Sequence, residues 1–78
     1  MFETKEQKEI RARLNNYKVE EARLREELEK LERKIAKLPY NQLEKLKPMS
    51  DRKFAIKCRL DYLTEQINKN INLLNIIS

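Results

Sequence analysis

Along two stretches of this chain the apolar residues recur at alternating steps of four and three. In the first stretch Ile10, Leu14, Tyr17, Leu24, Leu28, Leu31, Ile35 and Leu38 keep the rhythm, and Glu21 is the one polar seam position. In the second, Ile56, Leu60, Leu63, Ile67, Leu74 and Ile77 keep it, interrupted by Asn70. A mean step of 3.5 residues holds one stripe of side chains against a partner helix over many turns, so the pattern specifies coiled-coil packing. The fold class that follows is all-α: an antiparallel helical hairpin forming a single domain over residues 1–78.

Between the two stretches the chain has to turn. Pro39 disfavours helix at the residue before it and has no amide to donate, so the first helix, starting near Thr4, is expected to end at about Leu38. Pro48 marks a second break, and Ser50 with Asp51 reads as an N-cap followed by a first-turn acid. The expected organisation is a helix over about 4–38, a kinked connector over 39–50 and a helix over about 51–77. Acids four residues before bases, as in Glu21 with Arg25 and Glu26 with Lys30, support the first helix.

If Leu38 faces Ile56, the antiparallel pairing continues with Leu31 on Leu63, Leu24 on Asn70 and Tyr17 on Ile77. Residues before about Asn16 then overhang by ~24 Å of helix, carrying Phe2, Ile10 and Leu14. The second helix also bears Phe54, Ala55, Cys58 and Tyr62 away from the seam, and Ile71, Leu73 and Ile76 beside it. That arc is too wide for one partner helix. The connector, through Tyr40, Leu43, Leu46 and Met49, is expected to fold over Phe54, Cys58 and Tyr62. A second copy is expected to cover the rest, giving a dimeric four-helix bundle, because a lone hairpin of this size has near-zero net stability.

What the chain lacks removes whole classes of chemistry. Its 78 residues contain no Gly, no His and no Trp, and a single Cys. Phosphate-cradling loops and dinucleotide fingerprints require Gly, and imidazole-based catalysis requires His. The chain is therefore read as non-enzymatic and without cofactor or metal. Cys58 cannot form an internal disulfide and is read as a small apolar residue, with a reactive thiol as the alternative. No apolar run approaches the length of a bilayer span, so the reading is a cytoplasmic protein that does not enter the membrane.

Lys and Arg number 18 against 13 Asp and Glu, a net charge of +5. Lys47, Arg52, Lys53, Lys57 and Arg59 gather at the start of the second helix, where they oppose the helix dipole. They are either tolerated surface or a contact for an anionic partner such as nucleic acid. The acids Glu20, Glu21, Glu26, Glu27, Glu29 and Glu32 crowd one stretch, but helical-bundle metal sites pair such residues with His. Tyr17, Tyr40 and Tyr62 are spaced too irregularly for a base-stacking platform.

The stretch Leu14-Asn15-Asn16-Tyr17-Lys18 opens into a Glu- and Leu-rich helix, followed by the Pro-broken connector with Met49-Ser50 and a helix ending in repeated Ile. Taken together, these features resemble the N-terminal helical part of RinA/ArpU-type late-gene regulators of Gram-positive phages. Members of that family continue into a DNA-binding helix-turn-helix. The resemblance implies a small phage or mobile-element protein that keeps the oligomerising or partner-binding part without the DNA reader. The expected function is an interaction module that self-associates and binds a protein partner through Phe2, Ile10, Leu14, Ile71, Leu73 and Ile76. The alternative is a basic, nucleic-acid-binding transcriptional regulator.

Overall fold

The computed structural model describes residues 3–77. Two α-helices of equal length, α1 (Lys5–Ala36) and α2 (Leu46–Ile77), run antiparallel and are joined by a 3₁₀ turn over Tyr40–Lys45. No strand occurs among the described residues. The hairpin is a rod of 62 × 15 × 13 Å with a radius of gyration of 17.8 Å. A compact domain of this length would have a radius of gyration near 11 Å.

Thr4 starts α1 with a capping box. Its hydroxyl accepts from the Gln7 amide at 3.1 Å, and the Gln7 side chain accepts from the Thr4 amide at 3.0 Å. Two of the free amides of the first turn are satisfied in this way. At the other end Lys37 and Leu38 bond back to Arg33 and Ile35, and Pro39 leaves the helix with an extended backbone. No residue among those described takes a positive φ. The chain turns by means of proline and the non-helical Gln42 (φ −120°, ψ 26°) instead.

The second helix begins at Leu46, not near residue 51. Pro48 falls inside its first turn, where amides have no intrahelical acceptor, so the proline removes nothing the helix needs. Ser50 and Asp51, expected at a cap, are ordinary helical residues.

This earlier start resets the pairing. Facing residues are Arg52 with Glu27, Arg59 with Glu20, Lys53 with Glu32 and Gln7 with Ile77, so partner numbers add to between 79 and 85. The expected pairs, such as Leu38 with Ile56, add to 94. With the bend compressed to the residues between Ala36 and Leu46, Ile77 reaches the level of Gln7, which donates its side-chain amide to the Ile77 carbonyl at 3.4 Å. There is no overhang. Ile10 is 1% exposed and Leu14 7%, both enclosed by the hairpin itself.

The seam is as the spacing requires. Ile10, Leu14, Ile56, Leu63 and Asn70 are buried, and every other seam position from Tyr17 to Leu38 and from Leu60 to Ile77 is half-buried. Asn70 lies level with Ile10 and Leu14 rather than with Leu24. Its amide nitrogen donates to the Gln66 carbonyl at 2.7 Å, and its buried Oδ1 has no hydrogen-bond partner.

Candidate functional site

Ion pairs flank the seam on both sides. Arg59 makes a two-pronged contact with Glu20, donating from Nε and Nη2 at 3.0 Å each. One heptad away Arg52 grips Glu27 in the same manner at 2.7–3.0 Å, and Lys53, itself on the seam line, reaches out to Glu32 on the opposite flank at 3.6 Å. Opposite charges at the positions beside a coiled-coil seam set the orientation and register of the two helices. The hydrogen bond to Glu20, reinforced by its charge, raises the Arg59 pKa above its ordinary value. The same guanidinium lies 4.8 Å above the Tyr62 ring.

These contacts account for most of the candidate anion-binding cluster. Of Lys47, Arg52, Lys53, Lys57 and Arg59, three already hold acids of α1, and Lys47 and Lys57 are exposed. The acid-rich stretch is spent in the same way. Glu20, Glu27 and Glu32 pair across the hairpin, while Glu21, Glu26 and Glu29 pair with Arg25, Lys30 and Arg33 one turn ahead. Among the described residues no group of acids, Cys or His is placed to hold a metal ion.

The proposed partner-binding residues divide. Phe2 lies outside the described residues. Ile10 and Leu14 are core residues, because the overhang that would have exposed them does not exist. Ile71, Leu73 and Ile76 are exposed, Ile76 at 77%. The structure thus leaves the distal face of α2 open and closes the start of α1.

The connector does not cover the outer side of α2. Tyr40 is 92% exposed and Leu43 53%, and Phe54 stands 71% exposed. Cys58 is an exposed thiol, not a buried apolar residue. The 3₁₀ turn is used up in reversing the chain at the tip of the rod, and its side chains cannot reach back along α2. The outer face of α2 therefore carries Phe54, Cys58, Tyr62, Leu73 and Ile76 to solvent, interrupted by the Glu65–Lys69 pair (3.2 Å). Among the described residues no helix is long and apolar enough to cross a membrane. Comparison with protein-family profiles, curated proteins and solved structures finds no match for this chain.

Proposed function

We propose that this chain is a non-enzymatic interaction module, in which the seam builds a rigid hairpin and the outer face of α2 recruits other protein chains, beginning with its own copy. The carrying observation is the exposure of Leu73 and Ile76 on a helix whose opposite side already forms the hairpin core. Taking a fully exposed side chain of that size out of water is worth roughly 1.5–3 kcal/mol, of which Ile76, 77% exposed, still has most to gain and Leu73, 42% exposed, less than half. In keeping with the resemblance to RinA/ArpU-type regulators, the role is regulatory, in a phage or mobile element, and works through protein contact. A nucleic-acid reader draws its affinity from bases free to meet phosphates. Here Arg52, Lys53 and Arg59 serve the fold, which favours the protein-binding reading.

Sedimentation tests it. The native chain is expected to sediment above the single-chain mass at concentrations on the order of 100 μM. The variant carrying Leu73→Asp and Ile76→Asp should sediment as one chain with its helicity retained. A native chain that stays monomeric, or one that retards duplex DNA with a steep salt dependence, overturns the reading.

A further inference from the structure

The two edges of the seam are not alike. On one, Glu20 and Glu27 of α1 meet Arg59 and Arg52 of α2. The other is built from the residues that follow Ile10, Tyr17, Leu24 and Leu31, which recur every seven positions as Arg11, Lys18, Arg25 and Glu32. Residues at that spacing line one edge of a coiled coil. Across from them α2 presents Lys57, Thr64 and Ile71, again seven apart. All of these side chains are exposed.

Facing residues of this hairpin have numbers that add to between 79 and 85. Arg25 with Lys57, Lys18 with Thr64 and Arg11 with Ile71 each add to 82, so each pair lies level across the seam. The edge therefore sets a base against a base at one level and against an uncharged residue at the next two. Like charges at facing edge positions oppose the pairing of two helices. The acid of this edge, Glu32, is taken by Lys53, while Glu21 reaches Arg25 from the seam at 3.6 Å and Glu3 holds Arg11. Among the described residues Lys18 and Lys57 are held by no acid.

Beside Arg25 the surface is also hollow. Ala22, Arg25, Glu26, Leu28 and Glu29 line an open groove of about 520 Å³, where the short side chain of Ala22 stands next to the half-buried Leu28. The two acids of the groove are turned to Lys30 and Arg33.

We propose that this edge is the docking surface for an acidic amphipathic α-helix of another protein, which lies along the hairpin as a third helix of the coiled coil. The molecule itself shows what bases at this interval hold: Arg52 and Arg59, one heptad apart, grip acids one heptad apart on an antiparallel helix. Lys18 and Arg25 repeat that interval, about 10.5 Å, so a helix with acids seven residues apart meets both at once. A carboxylate between Arg25 and Lys57 turns the repulsive level into an attractive one. Apolar side chains of the same helix cover Ala22, Leu28 and Ile71, the last 39% exposed. A nucleic-acid duplex fits the edge poorly, because its phosphates wind around an axis whereas Arg11, Lys18 and Arg25 stay in line over ~21 Å. The proposal goes beyond the self-association reading above and uses a different side of the rod.

The test takes the full-length chain and a synthetic four-heptad helical peptide whose apolar stripe is flanked by glutamates at seven-residue intervals. A second peptide has glutamine in place of every glutamate. Fluorescence anisotropy in about 50 mM salt should show the glutamate peptide binding about tenfold more tightly, which is what two or three exposed ion pairs contribute together. Lys18→Gln combined with Lys57→Gln should abolish that preference. Arg13→Gln combined with Arg23→Gln, which removes the same charge from the opposite side of α1, should preserve it. Without peptide, Lys57→Gln should melt above the native chain at low salt and level with it at high salt, because Arg25 then faces no base.

Equal binding of the two peptides, binding of neither, or an equal loss in both doubly substituted chains overturns the inference. So does an unchanged low-salt melting point for Lys57→Gln. All of these leave the self-association reading to its own sedimentation result. A DNA duplex of about 20 base pairs that binds more tightly than the glutamate peptide, with a steep salt dependence, overturns both.

Discussion

Arg59 and Glu20, 39 positions apart in the chain, face each other across the hairpin through two 3.0 Å hydrogen bonds. Arg52 and Glu27 repeat the contact seven residues earlier on α2 and seven later on α1. A slip of one heptad in either direction would set Arg52 against Lys34 or Arg59 against Arg13. The two rungs therefore reject the neighbouring registers as well as favouring the observed one.

Reversing one charge of a rung should be felt, and reversing both should largely be tolerated. Glu20→Arg is expected to lower the melting temperature and to make it rise with added salt, since like charges then meet at the seam edge. Adding Arg59→Glu should restore most of the loss. Thermal melts followed by circular dichroism, at low and high salt, read both effects.

The seam centre carries far more than its flanks. Leu63→Ala removes a side chain with no exposed surface and is expected to cost about 2–4 kcal/mol. In so thin a core that abolishes the folded hairpin, while Ile56→Val, at about 1 kcal/mol, leaves a measurable transition. Leu43→Ala, on the exposed connector, should change the urea midpoint little. A uniform response across the three would mean that the core lies elsewhere.

Asn70 works against stability where it stands. Its Oδ1 is buried without a partner, a situation that costs about 1–3 kcal/mol. Asn70→Leu is expected to raise the melting temperature while weakening the preference for one pairing, since a polar residue in the seam specifies register. Broadened amide signals or a heterogeneous elution profile alongside the higher melting point would register both consequences.

Stability should be insensitive to pH around neutrality. The chain has no His, so no imidazole titrates between about pH 6 and 8. Arg59 has its pKa raised, chiefly by its hydrogen bond to Glu20. A raised base stabilises the fold fully below its unfolded pKa, and that contribution fades only as pH climbs through the folded value. For Arg59 that window lies in strong alkali. Melting temperatures at pH 6, 7 and 8 that differ by more than a degree or so would contradict this.

The hairpin was legible in the letters because seam spacing is a local property, and all sixteen seam positions are buried or half-buried as the spacing demands. The register was not. It depends on where α2 begins, and Pro48 disguises that point by resembling a terminator while sitting in a first turn. A usable signal was present: Leu46, Met49 and Lys53 extend the steps of three and four back from Ile56, with a lysine hiding one position. The error in that boundary made Ile10 and Leu14 look like recruiting residues. It also made Arg52, Lys53 and Arg59 look unclaimed, although Glu20 and Glu27 stand one heptad apart in α1 just as Arg52 and Arg59 do in α2. Ile71, Leu73 and Ile76 were legible as exposed because their placement depends on helix phase alone.

Full enclosure along the rod is uneven, and the unevenness runs opposite to expectation. Ile10, Leu14, Leu63 and Asn70 occupy the half where Gln7 holds Ile77, whereas between Ile56 and the bend no side chain is wholly enclosed. Hairpins of helices ordinarily fray from their free ends and are held by the linker. This one is stitched at its free ends, so breathing is expected to start beside the linker, and amide exchange around Lys34 and Lys47 should outpace that around Leu14 and Ile67. The covalent junction is then the yielding end of the molecule, and the two helix ends that no peptide bond joins form its anchor.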